Sequence, residues 1–168
     1  MSRRLPCQPL EAKAWEPFGW LPVRDTNPLD GTNTLHFEWH DAHVNVICHR
    51  AEEVPHSADG LFCEMFFRHL THTQVLHVLN CRAVMAVAPA ACTFSSAADL
   101  DTVRAFALSP HDSVVLHQGT WHWGPFPEDA EQVDMFNVQG LRYREDNECA
   151  PIGPLGESLE IVLPPRRS

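Results

Sequence analysis

Eleven histidines in 168 residues carry most of the chemical potential of this chain. Two clusters have useful spacing. Residues 68–77 read Arg-His-Leu-Thr-His-Thr-Gln-Val-Leu-His, and residues 117–123 read His-Gln-Gly-Thr-Trp-His-Trp. Imidazole binds divalent metals through a neutral ring nitrogen and carries protons near neutral pH. A metal site needs three or four nitrogen, oxygen or sulfur donors from elements that meet in space. Side chains alternate along a strand, so Gln74, Leu76 and Val78 share one face while Val75, His77 and Leu79 share the other. Only one of those faces can carry a site. Two antiparallel strands of a jelly roll can bring His69, Gln74 and His122 to one barrel mouth, with His72 as a third candidate histidine. His36, His40, His43, His49, His56 and His111 lie outside these clusters and read individually as surface or hydrogen-bonded residues. Lys13 is the only lysine, so Schiff-base chemistry rests on that residue or is absent.

The elements that must position these residues are short strands. Fourteen prolines and eight glycines punctuate the chain. Between them lie runs with strand character at 44–50, 64–70, 74–79, 83–90, 103–108, 113–117, 135–138 and 158–163. That spacing suggests a sandwich or barrel. Helical periodicity is confined to a short stretch at 11–15 and a single turn after Ser95 and Ser96, one of them its N-cap. Many short strands with Gly/Pro turns predict an all-β jelly roll or small barrel. The length fits one domain over 1–168, with frayed ends near 1–8 and 164–168. Hydrophobic residues make up 44% of the chain, enough for a core. A formal charge of −10 argues against nucleic-acid and anionic-membrane partners. The first ten residues lack a signal peptide's apolar run, so a reduced, cytoplasmic setting is expected. The six cysteines form no Cys-x-x-Cys pair, and most of them read as small buried apolar residues.

Two motifs then point to a family. Gly119-Thr120-Trp121-His122 resembles the second motif of the cupin superfamily, Pro-x-Gly-x-x-His, with His117 in the proline position. Phe67-x-His69 followed by four residues and Gln74 resembles the first motif, His-x-His-x4-Glu. One histidine of the pair is phenylalanine here, and the glutamate is glutamine. Five segments are similar, in the same order, to the ureidoglycolate lyase family: Ala14–Gly19, Val46–Ala51, Arg68–Gln74, Asp99–Phe106 and Gly119–His122. The resemblance covers about residues 11 to 140. The departures cluster at the expected pocket. Trp123 replaces a second histidine, Phe67 precedes Arg68, His72 stands where the family has glycine, and Gln139-Gly140 stands where many members have Asp-Arg.

The resemblance implies a cupin-like double-stranded β-helix, a small-molecule substrate and a homodimer. It implies a lyase that splits ureidoglycolate, or a related small hydroxy acid, into glyoxylate and urea. The alternatives are another metal-dependent cupin enzyme and a non-catalytic small-ligand-binding cupin. For the lyase, one group must take the hydroxyl proton and another must protonate the leaving nitrogen, roles that suit histidine. An arginine fork suits the substrate carboxylate. On this reading His69 and His122 serve as metal ligands with Gln74, or as an acid–base pair, with Glu64 as a further base. Arg50 comes first for the carboxylate, ahead of Arg68 and Arg104; Gln74 can bond the substrate, and Trp121 and Trp123 wall the pocket. The divalent ion would be nickel, manganese or zinc. A neutral amide is a poorer ligand than carboxylate, so Gln74 lowers the expected affinity.

Overall fold

A computed structural model describes residues 2–24, 27, 29–39 and 41–164. His40 and residues 165–168 of the tail expected to fray lie outside that set. The strands are β1 (Ser2–Pro9), β2 (Gly19–Trp20), β3 (Ala42–Arg50), β4 (Gly60–Cys63), β5 (Met65–His69), β6 (Gln74–Val78) and β7 (Ala83–Ala88). They continue as β8 (Arg104–Leu108), β9 (Ser113–Leu116), β10 (Trp121–Pro127), β11 (Gln132–Gly140), β12 (Asn147–Pro151) and β13 (Ser158–Val162). One short helix, α1 (Ala12–Trp15), follows β1. An eight-stranded sheet runs β12-β5-β10-β7-β8-β1-β13-β4, and a five-stranded sheet runs β2-β9-β6-β11-β3. This is the all-β, cupin-like architecture. Among the described residues, no helix is long and apolar enough to cross a membrane.

The residue pattern explains the layering. All six residues of β7 are buried. Ala83, Met85 and Val87 face the five-stranded sheet, where they meet Leu76, Leu116 and Met135, with Phe106 of neighbouring β8 on the same side. Val84, Ala86 and Ala88 face the other way, into a cluster with Phe66, Trp121 and Ile161. A strand covered on both faces needs no polar alternation. Strands with one wet face do alternate: β3 is exposed at Val44, Val46 and Cys48 and less so at Asn45, Ile47 and His49. Trp15 of α1 is fully buried and donates its indole N–H to the Val115 carbonyl at 3.0 Å, which seals one end of the core.

Residues 2–9 are not frayed. Ser2–Pro6 pair in parallel with β13 and Cys7–Pro9 with β8, so β1 stitches two parts of the large sheet together. Its prolines, Pro6 and Pro9, disguise it as a tail. Strands β2, β4, β10 and β12 are also absent from the sequence reading. In β10 the Gly124-Pro125 pair conceals a strand whose register shifts between Trp123 and Phe126, as at a bulge. Of the cysteines, Cys63 and Cys92 are buried, whereas Cys48 and Cys149 are exposed, and all are free thiols.

Candidate active site

The first site elements are β5, β6 and β10. Alternation along β5 turns Met65, Phe67 and His69 toward a cavity of about 440 Å³, and turns Phe66 and Arg68 away from it. Gln74 and Leu76 of β6, His122 and Trp123 of β10, and Ile47 and His49 of β3 line the same cavity. His122 pairs directly across from Phe67, so the two share one face of the sheet. The turn before β10 brings the two strand ends together. Gly119 has φ +77°, the left-handed region glycine favours, and its N–H donates to the His69 carbonyl at 2.7 Å.

His69, Gln74 and His122 therefore meet. The His69 and His122 ring centroids are 5.5 Å apart, and His72 stacks on His69 at 4.6 Å. His69, His72, Gln74 and His122 also line a small void too tight for a water molecule, which shares His69, Gln74 and His122 with the main cavity. Burial pushes the His69 imidazole down to about 2, helped by the neighbouring His122 and His72. Burial likewise pushes His122 down to about 4, against an opposing bond to the Thr120 carbonyl. Both rings are neutral at physiological pH, the form that offers a lone pair. The His122 Nδ1–H donates to Thr120 O at 3.3 Å, which leaves Nε2 as the acceptor.

Gln74 is oriented just as firmly. Its amide nitrogen donates to Asn137 Oδ1 at 2.9 Å and Gln139 Oε1 at 3.3 Å, and Asn137 is itself held by Asn45. Only the amide oxygen remains, buried and without a hydrogen-bond partner. His69 Nδ1 and His72 Nε2 are buried and unpartnered too. Buried acceptors are nearly always satisfied, and lone pairs from imidazole and amide oxygen that converge without a donor suit a divalent ion. His69, His72 and Asp146 form a group whose ligand atoms lie within 4.8 Å of one another. The residues present fit a metal.

Glu64 and Glu53 lie on the wall beside His49. His49 Nδ1 is 3.5 Å from Glu53 Oε2, within ion-pair range, and its ring stands edge-on to Phe126 at 4.8 Å. Burial lowers the His49 pKa against the pull of Glu53. His49 thus faces the cavity, contrary to the surface role expected of it. The alternation of Val44, Val46 and Cys48 on the outer side of β3 was the available signal.

Other expected residues lie elsewhere. Arg50 follows His49, so the strand pleat turns it outward, where it lies 3.5 Å from Glu52 and is largely exposed. Arg104 turns its guanidinium to the Asp101 and Val103 carbonyls. Arg68 pairs with Glu148 at 2.6 Å and lies over the Trp121 ring. Trp121 is in the core, its indole N–H bonded to Cys92 O at 2.8 Å, whereas Trp123 does line the cavity. Among the described residues, no lysine or arginine lines the cavity. Asp146 carried no sequence signal at all; it reaches the site across 74 residues of chain, through its contact with His72.

A search of curated proteins finds no match. A family model described as Ureidoglycolate lyase matches residues 25–152. The matched span contains every residue that builds the cavity floor, and by it this chain belongs to the ureidoglycolate lyase family.

Proposed function

We propose that this protein is a carbon–nitrogen lyase that converts ureidoglycolate, or a closely related carbinolamine of a small hydroxy acid, to glyoxylate and urea. The observation that carries this reading is the meeting of His69, Gln74 and His122 at one cavity, with both imidazoles held neutral and His69 Nδ1 and Gln74 Oε1 buried without a partner. In the reaction the hydroxyl gives up its proton, the C–N bond breaks as the C=O bond forms, and the nitrogen that leaves with the bonding pair takes a proton to become urea. Family membership supports lyase chemistry in general.

Charge favours an ion at this site. The substrate carries a carboxylate, yet the wall presents Glu53 and Glu64 and, among the described residues, no lysine or arginine. A divalent ion held by His69, Gln74 and His122 would supply the missing positive charge and polarise the substrate oxygens. Nickel, manganese and zinc all suit imidazole and amide oxygen donors. Glu64 and His49 face the same space as proton carriers, and the neutral imidazole of His49 can accept the hydroxyl proton. Phe67 and Trp123 exclude water from the floor. Arg50, Arg104 and Trp121 have no place in this scheme.

The test is release of urea and glyoxylate from racemic ureidoglycolate by metal-loaded protein. Turnover above the spontaneous rate, lost in His122→Ala and His69→Ala, is expected. Turnover at the spontaneous rate for every loaded ion overturns the reading. The aromatic wall of Phe62, Phe67, Trp123 and Phe126 favours one second reading, a non-catalytic ligand-binding cupin. Saturable quenching of tryptophan emission without turnover is the outcome it expects.

A further inference from the structure

The first cupin-like motif has phenylalanine at position 67 in place of a histidine, so the ion site proposed above has only two histidines and an amide. We infer that His72 supplies the missing imidazole through Nε2, and that Asp146 acts as its positioning residue, not as a ligand. This inference rests on the ion site of the preceding reading.

Four observations carry it. His72 is 2% exposed, and its Nε2 is buried with no hydrogen-bond partner. With His69, Gln74 and His122 it lines the tight void that adjoins the main cavity. Its other nitrogen is fixed: Nδ1 lies 3.2 Å from Asp146 Oδ2. A carboxylate can only accept there, so the proton sits on Nδ1 and the lone pair on Nε2. An outer carboxylate of this kind sets tautomer and ring orientation in metal-bound histidines.

Asp146 itself is already occupied. Its Oδ1 accepts the Leu70 N–H at 3.0 Å, and its Oδ2 accepts the Thr71 N–H at 2.9 Å and the Thr71 hydroxyl at 2.7 Å. Adding His72 gives Oδ2 three contacts, so the oxygen beside the imidazole has no lone pair left for an ion, while Oδ1 is turned to the Leu70 N–H. These bonds also anchor the 70–73 turn that carries His72. A paired strand-edge contact with Phe37 covers the ring from outside.

The fold has made room for this imidazole. A Cβ on Gly140 would lie 2.5 Å from His72 Nδ1. Any side chain at 140 would therefore displace the His72 ring.

The experiment measures binding of zinc and copper(II) to chelator-stripped protein by titration calorimetry, with copper EPR to count coordinated nitrogens. Wild type should bind one ion with three imidazole nitrogens. His72→Gln should retain two nitrogens and lose more than about 100-fold in affinity. Asp146→Asn should keep three nitrogens and lose about 10–100-fold, the range seen when outer carboxylates are removed. His72→Gln with unchanged affinity and three nitrogens overturns the inference while leaving the ion site standing. Asp146→Asn that loses a ligand from the copper spectrum overturns the positioning role. A wild type that binds neither ion overturns both this inference and the ion site itself. If His72→Gln does not fold, the nitrogen count of the wild type decides, and two nitrogens overturn the inference.

Discussion

At the scale of single residues, the site depends on groups held in one protonation state and one orientation. Gln74 shows how narrow the choice is. Two amide oxygens, on Asn137 and Gln139, accept from its nitrogen. Gln74→Glu would set a carboxylate against those acceptors in a buried place. Metal-free Gln74→Glu should be about 1–3 kcal/mol less stable than wild type in urea denaturation. An added divalent ion should recover that loss, because carboxylate is the better ligand. The buried imidazoles predict a pH effect with a definite sign. In the unfolded chain His69 and His122 take a proton near 6.5. In the folded chain burial delays protonation to about 2 and about 4. Between those values the unfolded state binds more protons, so stability falls as pH drops. Below about pH 6.5, metal-free protein should lose up to about 1.4 kcal/mol per pH unit for each ring, with the His122 contribution ending near pH 4. Chemical denaturation at pH 7 and pH 5 checks this; equal stability at the two values refutes it.

At the scale of elements, strand parity decides which neighbours do chemistry. His49 and Arg50 are adjacent on β3, yet one lines the cavity and the other faces solvent. Arg50→Ala should therefore leave KM and kcat within twofold of wild type, whereas His49→Ala should lower kcat. A large rise of KM in Arg50→Ala would show that the pleat has been misread. Gly140 ends β11 beneath His72. Gly140→Ala should displace the ring and destabilise the fold by about 1–3 kcal/mol, the usual cost of overpacking. Thermal melts of this variant beside His72→Gln test whether the clash is with that ring. Most strands were legible in the sequence, since 74–79, 83–90 and 113–117 have the composition and bounded length of strands. Those at 2–9 and 121–127 were not, because Pro6, Pro9 and Pro125 read as breakers. Tertiary pairing tolerates them at the parallel join of β1 and at the bulge of β10.

For the molecule as a whole, ion binding and folding are linked. A ligand that binds only the folded chain stabilises it by about 2.7 kcal/mol at a hundredfold excess over Kd. For a chain of this size that corresponds to a rise of roughly 5–10 °C in Tm. Nickel, manganese or zinc should produce such a rise in wild type, and His69→Ala with His122→Ala should abolish it; calorimetric melts with and without chelator report the difference. Some features of this protein follow from the sequence alone. Turn residues at short intervals and apolar runs of strand length dictate an all-β chain. The surplus of imidazole over a single lysine directs attention to metal and proton chemistry. The motifs around His69, Gln74 and His122 name the cavity floor. Other features needed the fold. Arg50, Arg104 and Trp121 stand on the far sides of their strands, while His49 and Asp146 come to the site from elements that no local pattern connects to it. Sequence patterns report which residues share a strand face, because side-chain direction has a period of two. They do not report which faces meet, because that depends on strand order and register across two sheets.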